Sequence, residues 1–111
     1  MEELNAQINK TFLGKEDHGI PTWNLEMKLS NGFHQGFGNY DLRFYGIVPI
    51  IKIIEVVGVD SWEKLIGTTC RVRRRDRMIR AIGHIVEDKW FDIEDTDAVE
   101  ATEKTGRGKK K

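Results

Sequence analysis

The chain has one cysteine, Cys70, among 111 residues, which excludes an internal disulfide framework and a Cys-only zinc site. It has no apolar run near the ~18–20 residues that a membrane-crossing helix needs. Its acidic, polar N-terminus lacks the pattern of a signal peptide. No Ser or Cys nucleophile sits in a recognisable setting with a base, so covalent catalysis finds no support. Net charge is missing too, because 18 basic side chains balance 18 acidic ones. These absences predict a soluble, cytoplasmic protein. What remains is enough for one modest core: 39% of the residues are hydrophobic, with three Trp, five Phe and two Tyr. That is too apolar for a disordered chain, and the length suits one domain of roughly 100–150 residues.

The zero charge is a sum over unlike parts. Residues 1–70 carry a net −3, and residues 71–80 carry +5 from six arginines against Asp76. Residues 81–103 carry −7, and residues 104–111 carry +5. Adjacent blocks of opposite sign cancel beyond a Debye length of ~8–10 Å. At contact range they do not, so a charged partner stays in play.

Periodicity supplies the elements. Asn5 to Phe12 reads as a strand, and Gly14 to Gly19 as a polar loop. From Ile20, Trp23, Leu25, Met27 and Leu29 alternate with Asn24, Glu26, Lys28 and Ser30, a period of two that marks a half-buried strand. Ser30-Asn31-Gly32 supplies a hairpin turn. Phe33 to Tyr40 returns, with Gly36 and Gly38 suggesting a bulge. Ile47 to Val57 reads as a buried helix, with Ile47, Ile50, Ile51 and Ile54 on the face away from Lys52 and Glu55, Pro49 near its start and Gly58 as its C-cap. Asp60-Ser61-Trp62-Glu63 has capping-box spacing and predicts a helical turn to about Ile66. Thr68 to Arg74 and Met78 to Val86 read as strands around an Arg75-Asp76 turn. In the second of these, Ile79, Ala81 and Gly83 should share one face. Trp90, Phe91 and Ile93 form a last apolar patch that suits a short terminal strand.

The expected class is α+β: an antiparallel sheet of about five strands packed on one main helix, in the order βββα(α)ββ. Residues 1–95 should form the domain, and residues 96–111 a charged, disordered tail.

Four stretches carry a resemblance: Leu13 to Gly19 (Leu-Gly-Lys-Glu-Asp-His-Gly), Gln35 to Tyr40 (Gln-Gly-Phe-Gly-Asn-Tyr), Val56 to Leu65 and Ile82 to Phe91 (Ile-Gly-His-Ile-Val-Glu-Asp-Lys-Trp-Phe). In this order the chain resembles small proteins encoded by tailed phages and prophages, a group without a settled biochemical role. The resemblance spans roughly residues 5–93. It implies an accessory protein acting in an infected or lysogenic bacterial host, a setting that includes anti-CRISPR proteins and other inhibitors of host defence. It carries over no catalytic residue and no cofactor.

Three sites follow from the residues. The arginine block is the strongest: Arg71, Arg73, Arg74, Arg75 and Arg77 on a hairpin could follow phosphates or form the contact with a partner complex. Alternatively they keep an edge hairpin soluble by pairing with the acidic 87–103 segment. Phe37 and Tyr40, beside the bare backbone of Gly36 and Gly38, are candidate anchors. Asp17, His18 and His84 have the chemistry of a metal site or acid–base pair, but no metal-type spacing. The bland alternative has Asp17 capping a turn. Cys70 should be a small buried hydrophobe. The function expected is non-enzymatic binding to a host or phage protein complex, with inhibition of a host defence complex foremost. Nucleic-acid binding in phage replication or recombination is the alternative, and a metal-dependent hydrolase the second.

Overall fold

In the computed structural model, residues 1–95 are described. The charged tail proposed for residues 96–111 lies outside them. Six strands form one antiparallel sheet: β1 (Glu2–Lys15), β2 (Pro21–Leu29), β3 (His34–Asp41), β4 (Thr69–Arg75), β5 (Met78–Gly83) and β6 (Trp90–Asp92), in the spatial order β3-β2-β1-β4-β5-β6. Between β3 and β4 the chain forms two helices, α1 (Leu42–Tyr45) and α2 (Val48–Val57), then a 3-10 turn over Trp62–Leu65.

The α+β class stands, but the sheet dominates it. Among the described residues six strands are present instead of about five, and no single helix carries the packing. Ile50, Ile53, Val56 and Val57 of α2 join Leu65 of the 3-10 turn and Ile93 after β6 against one face of the sheet. That face presents Ala6, Ile8, Trp23, Leu25, Met27, Leu29, Phe37, Cys70, Val72, Ile79 and Ile82. The sheet also curls over this core. Gln35 of β3 donates from its amide to the Arg77 carbonyl at 2.6 Å and accepts from the Arg74 guanidinium at 3.0 Å. One side chain therefore ties the β3 end to the tip of the β4–β5 hairpin.

Local chemistry explains the turns. Gly32, with φ +93°, closes the β2–β3 loop, and its N–H reaches the Leu29 carbonyl at 2.9 Å. The β4–β5 turn is Asp76-Arg77, one residue later than expected. Both residues take positive φ (55° and 66°), the primed geometry that matches the twist of paired strands. α2 begins with Ile47 at its N-cap and Pro49 in its first turn, and Gly58 closes it in the left-handed conformation. The expected capping box is absent: Ser61 precedes the 3-10 turn without a side-chain cap, and Asp60 pairs with Lys64 at 2.9 Å instead.

Bulges correct the strand faces. The pairing of β4 with β5 shifts between Arg73 and Arg74, which face Ala81 and Ile79. Arg80 is the extra residue, so Ile79 and Ile82 both reach the core while Ala81 and Gly83 lie on the opposite face. The expected bulge at Gly36 and Gly38 forms at Asn39, where Trp23 pairs with Tyr40 and Asn24 with Gly38. Gly38 takes φ +129°, and a Cβ there would lie 2.6 Å from the Trp23 carbonyl oxygen and 2.9 Å from its ring.

Gly38→Ala is therefore expected to cost about 3 kcal/mol or more, combining backbone strain with a hard clash. Gly32→Ala meets nothing within 4 Å and should cost only the ~1–2 kcal/mol of a left-handed L-residue. Urea unfolding of the two variants measures the difference, and equal losses would contradict it.

Candidate functional site

The two faces of the β4–β5 hairpin treat its arginines differently. Arg71 and Arg73 alternate with Cys70 and Val72, so they project from the face opposite the core, across from Glu3 on β1. The same face holds Gly83 of β5, paired with Trp90 of β6. A Cβ on Gly83 would meet the Trp90 indole at 2.6 Å, so the ring lies flat on bare backbone. The guanidinium of Arg73 stacks on that ring at 3.8 Å from its centre, and Arg71 approaches at 4.9 Å. Glycine, indole and arginine form a second, smaller packed layer with the cations outermost. Such stacking contributes about 0.5–2 kcal/mol.

Arg71 also acts as a fastener. It donates to the carbonyls of His84 at 2.7 Å and Glu87 at 2.9 Å, and to the Glu3 carboxylate at 3.0 Å. Arg73 shares Glu3 at 3.5 Å, Arg74 pairs with Glu2, and Arg75 pairs with Glu94 at 2.7 Å. Four of the five arginines expected to face a partner thus have carboxylates of their own. Among the described residues, most of that neutralisation comes from the first residues of β1, and Glu94 is the one contribution from the acidic segment. Among the described residues, Arg77 alone of the five has no ion pair.

The anchors are corrected as well. Phe37 is 3% exposed and belongs to the core. Tyr40 is partly buried, its ring 5.8 Å from Trp23 and 5.4 Å from Tyr45, and burial raises its phenol pKa. Phe33, on the β2–β3 turn, is the exposed aromatic of that region at 67%.

Asp17, His18 and His84 do not form one site. Glu16, rather than Asp17, organises its loop: its carboxylate accepts the backbone N–H groups of His18 and Ile20 and meets the His18 ring at 3.1 Å. The Ile20 and His18 bonds hold its pKa below the ordinary value. His84 organises a different loop. Its Nδ1 accepts the N–H groups of Val86 at 3.0 Å and Glu87 at 2.9 Å, which requires that nitrogen to be unprotonated. Among the described residues no group of three or more His, Cys, Asp or Glu is placed to hold a metal ion. Cys70 is fully buried, and burial pushes its thiol up to about 12.

An apolar shoulder on the helices escaped the periodicity. Phe44 is 73% exposed, Ile47 62%, Val48 51% and Ile51 44%. All four fall within eight residues, and the Ile51 N–H bonds to the Ile47 carbonyl one turn away at 3.1 Å. Ile47 and Ile51, expected inside, face out, while Ile50 and Ile53 fill the core. A signal was present in the sequence: only Lys52 and Glu55 are charged between residues 44 and 57, more apolar surface than one buried face requires.

If the arginines are held by Glu2 and Glu3, releasing them should create a polyanion site. Glu2→Gln with Glu3→Gln is expected to raise the salt concentration needed to elute the protein from heparin, and the same change in an Arg71→Gln, Arg73→Gln, Arg74→Gln background should raise it less. No shift in the first variant would show that the pairs do not restrain the hairpin.

No family model matches the chain, and no match emerges among curated proteins or solved structures.

Proposed function

We propose that the chain is a non-enzymatic, phage-type accessory protein that binds a protein complex of its bacterial host, with a host defence complex the foremost candidate and the cytoplasm its place of action. The observation that carries this reading is the apolar shoulder of Phe44, Ile47, Val48 and Ile51. Apolar side chains gathered at a surface favour burial against a partner, and aromatic and aliphatic residues of this kind supply the centre of protein interfaces. The arginine hairpin supports a rim role, because four of its five arginines already have carboxylate partners within the molecule. Exposed Arg77 and the partly exposed Arg73 and Arg75 remain able to meet acidic groups at contact range.

Capture of partners from host lysate tests this. Phe44→Glu with Ile51→Glu should remove the partners bound by the wild-type protein, at least tenfold by quantitative mass spectrometry. Arg73→Glu, Arg74→Glu and Arg75→Glu together should reduce them less. Identical partner lists for the wild type and the shoulder variant would reject the reading.

One observation favours the nucleic-acid alternative. The strand order β3-β2-β1-β4-β5, with helices between β3 and β4 and with β3 tied to the β4–β5 tip by Gln35, is that of the OB-type Greek-key barrel, whose β2–β3 face and adjoining loops often bind oligonucleotides. Fold alone does not assign function. On this face Glu26 stands among Lys10, Lys28 and His34, a mixed charge that lacks the basic groove of single-strand binders. Titration of labelled single- and double-stranded DNA and RNA at two salt concentrations decides: affinity tighter than ~10⁻⁴ M at physiological salt, falling with salt, would favour the alternative.

A further inference from the structure

We propose that the chain pairs with a second copy of itself, edge to edge, along the C-terminal half of β1. On one side β1 pairs with β2 as far as Lys15, but on the other β4 pairs with it only from Glu2 to Gln7. The last bonds on the β4 side belong to Ile8, whose N–H reaches the Thr68 carbonyl at 3.0 Å and whose carbonyl accepts from Gly67 at 2.7 Å. Beyond it the register with β2 slips by one residue at Asn9. With Ile8 turned to β4 and Asn9 as the extra residue, ladder alternation turns Lys10, Phe12 and Gly14 toward β2 and Thr11 and Leu13 outward. Among the described residues, no backbone hydrogen bond from outside the strands reaches Thr11 or Leu13. An open row of N–H and C=O groups is a template for another strand.

The edge is self-complementary. A two-fold axis at Phe12 sets Thr11 of each copy opposite Leu13 of the other. Both pairs then exchange two hydrogen bonds, as an isologous contact requires. In this register Lys10 falls opposite Gly14, and Lys15 opposite Asn9, so neither lysine meets a like charge. Leu13, 49% exposed, and Phe12, 39% exposed, gain cover on opposite faces of the joined sheet. The Phe12 ring already lies over Gly14 of its own strand, where a Cβ would be 3.3 Å away, which leaves room across the axis. So short an edge implies an interface below about 1,200 Å² and a weak, concentration-dependent dimer.

Cysteine cross-linking tests the register. Phe12 alone meets its own counterpart, at the ~4.5 Å Cα separation of a non-hydrogen-bonded pair, within the range a disulfide spans. Phe12→Cys should therefore form a covalent dimer on mild oxidation at least tenfold faster than Lys15→Cys, whose copies lie far apart. Cys70, buried with its thiol pushed up to about 12, should stay silent. Equal rates for the two variants would overturn the proposal. Sedimentation supplies the second measurement: the wild type should approach the dimer mass as concentration rises toward ~1 mM, the regime of weak encounters. Thr11→Pro, which deletes an outward N–H and leaves the β2 ladder intact, should shift it toward the monomer. A wild type that stays monomeric throughout would overturn the proposal, as would a folded Thr11→Pro protein that sediments like the wild type.

Discussion

The architecture depends on one strand serving two neighbours. β1 is 14 residues long, and it pairs with β4 along one side over Glu2 to Gln7 and with β2 along the other over Ala6 to Lys15. Neither the β2–β3 hairpin nor the β4–β5 hairpin could make a core alone, since isolated hairpins are marginal in water. Laid along the same strand, they form one continuous apolar face. The slip at Asn9 comes just past the point where the pairing with β4 ends, and a bulge bends a strand and increases its twist. The bend brings β3 round toward the β4–β5 tip, where Gln35 can reach Arg74 and Arg77. Strand length, bulge and clasp are thus successive consequences of the shared strand.

Three contacts between an aromatic ring and a glycine run through the sheet. Trp23 lies against Gly38 on the core side, Trp90 against Gly83 on the other, and Phe12 over Gly14 on β1. Glycine weakens a strand because it buries no side chain and loses much backbone entropy. A ring laid on the bare backbone offsets that loss by covering it. At Trp90 the same contact does more, since the indole's second surface receives Arg73 and Arg71. Arg71 then fastens the 84–87 loop, where His84 accepts two backbone N–H groups. A histidine and an arginine that suggest chemistry in sequence are here engaged in holding loop backbone.

Much of this was legible from the residues, and the failures share one cause. Alternation of Trp23, Leu25, Met27 and Leu29 identified β2 and its buried face, and Pro49 with Gly58 bounded α2 closely. Period-two reasoning failed on β5 because it assumes an unbroken ladder. The extra residue at Arg80 moved Ala81 and Gly83 to the opposite face from Ile79, which no local pattern announces. The same limit applies to the site. Composition exposed the arginine block but not the carboxylates that hold it, because Glu2 and Glu3 meet Arg74, Arg71 and Arg73 only through β1–β4 pairing across some 70 residues of chain. Phe37 looked like an anchor because it stands between two glycines, yet its place in the alternation opposite Leu25 already implied the core.

Electroneutrality takes a different meaning once those pairs are known. A chain whose positive and negative blocks lay apart would present opposed patches, and a charged partner could choose between them. Here three carboxylates on the flanks of the hairpin hold four arginines, so cancellation occurs at hydrogen-bond range. The exposed Arg75–Glu94 pair contributes only about 0–1 kcal/mol to stability, but each of the four pairs sets a cost on recognition, because a polyanion must displace the resident carboxylates first. Uncompensated driving force at the surface therefore lies with apolar area. Burying Phe44, Ile47, Val48 and Ile51 would gain roughly 25 cal/mol for each Å² removed from water. On the binding role we propose, the paired arginines suit the rim, where charge governs approach and register more than affinity.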